Sequence, residues 1–277
     1  MGRFSRLEIG DAQPQPEPPE EGRGEEISPA AREEEEYNAA GYLRRGHEHF
    51  FRREFHEALR RFSQALRLDS RLHEAWVGQI DALIEQGQLR EAEHTVTNAL
   101  TQFPDDPTLL SLRGVLLARQ GMAQRAIKAS DYALSVNHTL RAWICRGEIL
   151  LASDRHGSSS AEANANFCLT KALEQIPDGD WENLARVGLA YLRSRRHAKA
   201  LDVFRRACLA APDQAQLWRH VAECQEALGY DDQAISTLQR ALEIEPGDNA
   251  TEDWMRRLSK RGPISRLLRK LRRSTRK

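Results

Sequence analysis

Several things are scarce in this 277-residue chain, and each scarcity closes a door. Cysteine occurs four times, at Cys145, Cys168, Cys208 and Cys224. None forms a Cys-x-x-Cys pair, and none has a histidine at zinc-finger spacing. They read as small, reduced, buried residues of helices, which fits a reducing cytoplasm. No apolar run approaches the roughly 20 residues that cross a bilayer. The opening MGRFSRLEIG has no apolar core of the kind a secretory signal needs, and Arg6 stands where a myristoylation pattern wants Ser or Thr.

Catalytic signatures are missing as well. There is no GxxxxGK[ST], no GxGxxG after a strand, no HExxH and no GxSxG. The tract HEHFFRREFH (47–56) is rich in His and Glu, but its spacing fits no metal template. His49 falls at a position that a helical hairpin packs into its core. No catalytic residue, cofactor or metal is expected.

The formal net charge is zero, but the charges are segregated. Residues 1–36 hold 11 acidic and 4 basic residues, a net of −7, whereas residues 254–277 hold 11 basic and none acidic. Residues 9–35 are rich in Pro and Glu with almost nothing to bury, so 1–36 is expected to be a disordered acidic segment. Within it, Phe4, Leu7 and Ile9 with Arg3 and Arg6 form a basic-apolar cluster of the kind a tethered binding motif uses.

What the chain has in abundance is a ruler. Alanines fall at 58, 92, 126, 165, 200 and 234, and again at 65, 99, 133, 172, 207 and 241. Each pair is seven apart, two helical turns, so both alanines share one helix face. Successive pairs lie 34, 34, 39, 35 and 34 residues apart. The phrases around them repeat too: FHEALRRFSQALRLDS (55–70), LREAEHTVTNALTQFP (89–104), HAKALDVFRRACLAAP (197–212) and YDDQAISTLQRALEIEP (230–246). A period near 34 residues implies stacked helical hairpins, because one hairpin cannot bury its apolar face alone.

The pattern resembles the tetratricopeptide-repeat family. The large residue that opens the first helix is Tyr42, Trp76, Leu110, Trp143, Leu184 and Trp218. The small residue four on is Gly46, Gly114, Gly147, Gly188 and Ala222, with Ile80 departing from it. The closing proline is Pro104, Pro177, Pro212 and Pro246, with Ser70 and His138 departing. The resemblance implies an all-α, right-handed superhelical solenoid over 37–248. Its six repeats would run at about 39–72, 73–106, 107–140, 141–180, 181–214 and 215–248. Residues 249–261 read as a capping helix, with Trp254, Met255 and Leu258 covering the last repeat. In the fourth unit, ASDRHGSSSAEAN (152–164) is longer than its counterparts, and Ser158, Ser159 and Ser160 read as an exposed loop.

In this family the first helix of each repeat lines a concave groove and contacts ligands. By that register the groove displays Leu43, His47, Phe50, Glu74, Val77, Asp81, Glu85, Ser111, Arg119, Arg141, Glu148, Arg193, Arg219 and Glu223. The mixed, slightly acidic surface suggests a peptide or protein partner carrying basic and apolar residues. The chaperone-tail clamp of one subclass is not matched, because its positions carry Leu43, His47, Gly78, Thr108 and Leu112.

Residues 262–277, GPISRLLRKLRRSTRK, form a basic tail. Ile264, Leu267, Leu268 and Leu271 fall at helical spacing, and Arg266, Arg269, Lys270, Arg272 and Arg273 surround them. Such a helix suits an anionic membrane surface or a partner, which would make the chain peripheral to a membrane. Nucleic acid fits less well, since the tail lacks aromatic residues to stack on bases. The expectation is therefore a non-enzymatic scaffold or adaptor. The alternative is a nucleic-acid-associated protein that uses the basic tail and assembles through its repeats.

Overall fold

The computed structural model describes residues 38–153 and 159–261, and everything structural below concerns those residues. The acidic N-terminal segment, the MGRFSRLEIG cluster and the basic tail lie outside them.

Among the described residues there are thirteen α-helices and no strand. Six pairs follow one another. The first helices of the pairs are α1 (Ala39–Phe51), α3 (His73–Gln86), α5 (Pro107–Arg119), α7 (Leu140–Ser153), α9 (Trp181–Arg193) and α11 (Ala215–Leu228). Their second helices are α2 (Phe55–Leu68), α4 (Leu89–Gln102), α6 (Ala123–Val136), α8 (Ser159–Gln175), α10 (His197–Ala210) and α12 (Asp231–Ile244). Helix α13 (Asn249–Ser259) follows, burying Leu258 against Ala222, Ala234 and Leu238.

Why these helices pair is visible in α2. Its apolar residues Phe55, Ala58, Leu59, Phe62, Ala65 and Leu66 recur at three and four, so one stripe of the helix is apolar. Ala58, Phe62 and Ala65 are fully buried on that stripe. The paired alanines are buried in every repeat: all twelve are essentially inaccessible. Small residues there let adjacent helices come within 8–10 Å or so of one another.

Ile80, which departs from the small-residue pattern, is fully buried and packs in the core of the second and third repeats. Gly78, two residues earlier, takes over the role of yielding to a neighbouring helix. A Cβ placed on Gly78 would lie 2.5 Å from the Phe62 ring.

The insertion in the fourth repeat is partly helical. Ser159 and Ser160 belong to α8, which at 17 residues is longer than its 14-residue counterparts. The expected exposed loop is therefore corrected at these two positions. The sequence SSAEANA supplies a serine-rich start followed by strong helix formers, so the helix extends backwards into the insertion. Ser158 lies outside the described residues. Glu162, just after the added residues, pairs with Arg196 at 2.8 Å and Lys199 at 3.8 Å, fastening the start of α8 to α10 and the turn before it.

In a simple solenoid each repeat touches only its neighbours. Here the first repeat also meets the fifth. Phe50 and Phe51 of α1 join the same buried cluster as Leu184, Val187 and Tyr191 of α9. Phe51 lies 4.8 Å from the Trp181 ring. The helical array thus turns back on itself, with the first helices of the pairs facing one another across the axis.

Candidate functional site, the closed concave face

The first helices of the repeats converge on a charged network. Asp81 of α3 accepts from Arg141 of α7 at 2.5 Å and from Arg186 of α9 at 2.6 Å. These contacts span 60 and 105 residues of chain. One turn further, Glu85 pairs with Arg193 at 2.6 Å and with Arg119 at 3.4 Å. Glu148 accepts from Arg119 at 2.9 Å and from Arg193 at 3.1 Å. Three carboxylates and four guanidinium groups are interlocked across the second to fifth repeats.

Burial alone would raise the Asp81 carboxyl, but Arg141 and Arg186 outweigh it and hold it below its ordinary range. Glu148 behaves likewise, with burial opposed by Arg193 and Arg119. Arg186 is drawn downward by burial and by its neighbour Arg141, against the pull of Asp81. Its guanidinium also lies over Phe50 and Phe51, 5.4 and 5.5 Å from the ring centres. That contact ties the aromatic end of α1 to the network.

The sequence-derived groove residues therefore meet different fates. Asp81, Glu85, Arg119, Arg141, Glu148 and Arg193 are brought together and consumed in ion pairs. Phe50 is buried against α9, and Ser111 is buried in α5, donating to the Pro107 carbonyl at 2.6 Å. Leu43 and His47 line an open cleft with Trp181 and Glu182. Val77 is half-buried and Glu74 is exposed. Arg219 is spoken for by Glu245 at 3.0 Å and by Asp248. Glu223 pairs with His220 at 3.5 Å.

Arg186 escaped the sequence register because it stands between the usual contact positions. Its signal was the stripe Glu182, Arg186, Leu189, Arg193, spaced four, three and four along one face of α9.

Around the plugged axis, three clefts among the described residues border α1. One of about 330 Å³ is walled by Phe50, Phe51, Phe55, Leu189 and Leu192, with Glu85, Arg119, Arg193 and Glu223 at its polar side. A second, of about 540 Å³, lies between the α1–α2 turn and the α11 and α12–α13 segments. The third, of about 600 Å³, holds Leu43 and His47.

Among the described residues no three His, Cys, Asp or Glu side chains gather as metal ligands would. All four cysteines are buried and unpaired, and burial pushes the thiols of Cys145, Cys208 and Cys224 up to about 12. Such thiols are poor nucleophiles. No described helix is long and apolar enough to cross a membrane.

Models of the tetratricopeptide repeat match residues 52–116 and 187–249. With the same helical pairs running between them, the chain belongs to the tetratricopeptide-repeat family. That family is in general a non-enzymatic, protein-interaction fold. No curated protein sequence matches the chain.

Among solved structures, the chain is similar to one in the Cut9–Hcn1 hetero-tetramer of the APC/C. The identity is 19% and the TM-score 0.48, covering 84% of this chain and 45% of that one. It thus spans less than half the length of that protein. A tetratricopeptide repeat protein from Parabacteroides merdae is similar at 16% identity and a TM-score of 0.48, over 83% and 89% of the two chains. YrrB, described as having an unusual peptide-binding site, is similar at 17% identity and a TM-score of 0.36, over 82% and 96%. At these values the likenesses carry no argument about site or partner.

Proposed function

We propose that this chain is a non-enzymatic adaptor that holds a segment of another protein against its concave face, in the cleft between the end of α1 and the facing sides of α9 and α11. The observation that supports the reading is the make-up of that cleft. Apolar walls from Phe50, Phe51, Phe55, Leu189 and Leu192 stand beside a few fixed polar groups. Binding sites for extended segments combine such apolar contact with a small number of placed polar partners. The ion-pair network beneath fixes those walls, since Arg119 and Arg193 are held at two carboxylates each. An adaptor gains affinity from a surface that needs no reordering on binding.

The test begins with selection of peptides from a random library on the full chain. Their binding is then measured by fluorescence anisotropy on the wild type and on Leu189→Glu. A charged side chain on the apolar wall should weaken binding by about tenfold or more while the thermal melt is retained. Peptides that bind both proteins alike would place the partner elsewhere and sink the reading.

A further inference from the structure

The 540 Å³ cleft has a charge balance that its composition conceals. Its lining carries four acidic residues, Glu54, Glu223, Glu245 and Asp248. Each is already engaged: Glu54 with His49 at 2.6 Å, Glu223 with His220, and Glu245 and Asp248 with Arg219. Three arginines of the same lining, Arg52, Arg53 and Arg257, are exposed, and no described carboxylate pairs with them. Each acid has a partner from the chain's own residues, a histidine for two of them and Arg219 for the other two, and the three arginines have no described carboxylate within ion-pair distance.

Arg53 adds an independent observation. It occupies the turn between the two helices of its repeat with φ of 63°. The residues at the same place 34 and 68 positions on are Gly87 and Gly121, with φ of 75° and 81°, and Gly229 holds it in the sixth repeat at 81°. Glycine enters that left-handed conformation freely, whereas a side chain resists it. Besides Arg53, Arg195 of the fifth repeat also takes this position, at 59°. Arg53 lines both the charged cleft and the apolar one, and Arg195 lines neither. Its charge is felt inside: Glu223 is held below its ordinary range by the His220 hydrogen bond first and by Arg53 among the lesser causes.

We propose that this cleft binds an acidic segment of a partner protein, whose carboxylates pair with Arg52, Arg53 and Arg257. The proposal rests on the adaptor reading and gives the partner a chemistry. It also reverses the sign that a count of groove residues suggests, because Asp81, Glu85 and Glu148 are neutralised from within. The cleft is assembled from the first repeat and the last, so it exists only while the array is closed on itself. Guanidinium groups suit carboxylates because their forked donors match two oxygens at once.

The experiment is an anisotropy titration of the full chain with a fluorescein-labelled Glu-rich peptide, beside a Lys-rich peptide of the same length. The Glu-rich peptide should bind, lose affinity steeply with added salt, and be ignored in its Lys-rich form. Arg53→Gly places at the turn the residue that three other repeats already use, so the fold is kept while the guanidinium is lost. It should weaken binding by about tenfold, and Arg257→Gln by a similar factor. Arg195→Gly makes the same backbone change away from the cleft and should leave binding as it was.

Undiminished binding by Arg53→Gly, or equal binding of the Lys-rich peptide, would overturn the proposal. So would a flat titration, whether the cleft takes no anion or the chain's own Glu-rich stretch 17–36 already fills it. A chain that ignores the Glu-rich peptide but still takes selected peptides in the apolar cleft loses only this proposal and keeps the adaptor reading.

Discussion

Phe62 is fully buried, and glycines at 46 and 78 are what give its ring room. A Cβ on either would come within 2.5 Å of the ring, so the aromatic residue of one helix is accommodated by the absence of a side chain on two others. A different glycine requirement operates at the turns. Gly87 has nothing within 4 Å of where a Cβ would stand, so its identity is a matter of backbone conformation alone. Arg195 adopts the same left-handed conformation with a side chain in place, at a cost of about 1–2 kcal/mol. Arg195→Gly should therefore stabilise the fold by a few tenths to about 1 kcal/mol, the remainder being offset by glycine's greater freedom in the unfolded chain. A chemical-denaturation midpoint that falls instead would show that the Arg195 side chain contributes more to the fold than its backbone costs.

At the scale of helices, the junctions between repeats are set by aspartates as much as by prolines. Asp106, Asp180 and Asp248 each accept from backbone N–H groups at the start of the next first helix or of α13. The tracts PDDP, PDGD and PGDN carry that signal beside the prolines that close the preceding helices. Asp106 also faces His73 at 3.2 Å. The Asp106 carboxylate is the largest of the causes that raise the His73 pKa, and the pairing helps hold Asp106 below its ordinary range against burial.

Asp106→Ala should cost about 1–2 kcal/mol through the lost cap. It should also return His73 toward an ordinary imidazole pKa, which a two-dimensional NMR titration reads directly. The sign follows from linkage. A raised histidine contributes stability that is complete below about 6.5 and fades as pH rises through its folded value. The variant's deficit should therefore be larger at mildly acidic pH than above neutrality. A deficit that does not change with pH would mean the pair contributes nothing beyond the cap.

Much of this level was open to the sequence. The alanine pairs, the large opening residues and the 34-residue period report local, repeated packing, and local packing repeats because each hairpin meets the same neighbour. Three features were not readable that way. Gly78 substitutes for the small residue missing at Ile80, but only the position of Phe62 reveals it. The helical start of α8 was masked by three serines that, counted alone, look like a loop. The pairing of Asp81 with Arg186 joins residues 105 apart, and that distance is closed only by the accumulated rotation of every repeat between them. No local pattern encodes such a sum.

For the molecule as a whole, the contact of α1 with α9 closes the array on itself, and a histidine stands at that contact. His47 sits on α1, edge-on to Phe62 at 5.3 Å and 4.0 Å from Glu182 of α9. Burial first, then the charge of Arg186, pull its pKa down to about 4. Arg141 acts in the same direction and Asp81 opposes it. Burial, with Asp180 in the same sense, raises the Glu182 carboxyl against the charge of Arg186. His220, stacked on Phe204 at 4.8 Å, is also lowered by burial, against the pull of the Glu223 carboxylate beside it.

Histidines held neutral in the folded state take up a proton more readily once unfolded. Their contribution is therefore complete above about pH 6.5 and is lost as pH falls toward their folded values. His47 alone accounts for up to about 3 kcal/mol across that window. The urea midpoint should drop between about pH 7 and pH 5, a range still above the ordinary carboxylate values, so Asp81 and Glu148 stay ionised and are not the cause. Small-angle scattering over the same range should show the radius of gyration rising before the helices melt, as the first repeat leaves the fifth. His47→Gln keeps a polar side chain but cannot charge, and it should remove most of the pH slope along with the early expansion. If the variant retains the slope of the parent, His220 carries the acid response. If neither protein expands before melting, the first and fifth repeats part only when the whole array unfolds.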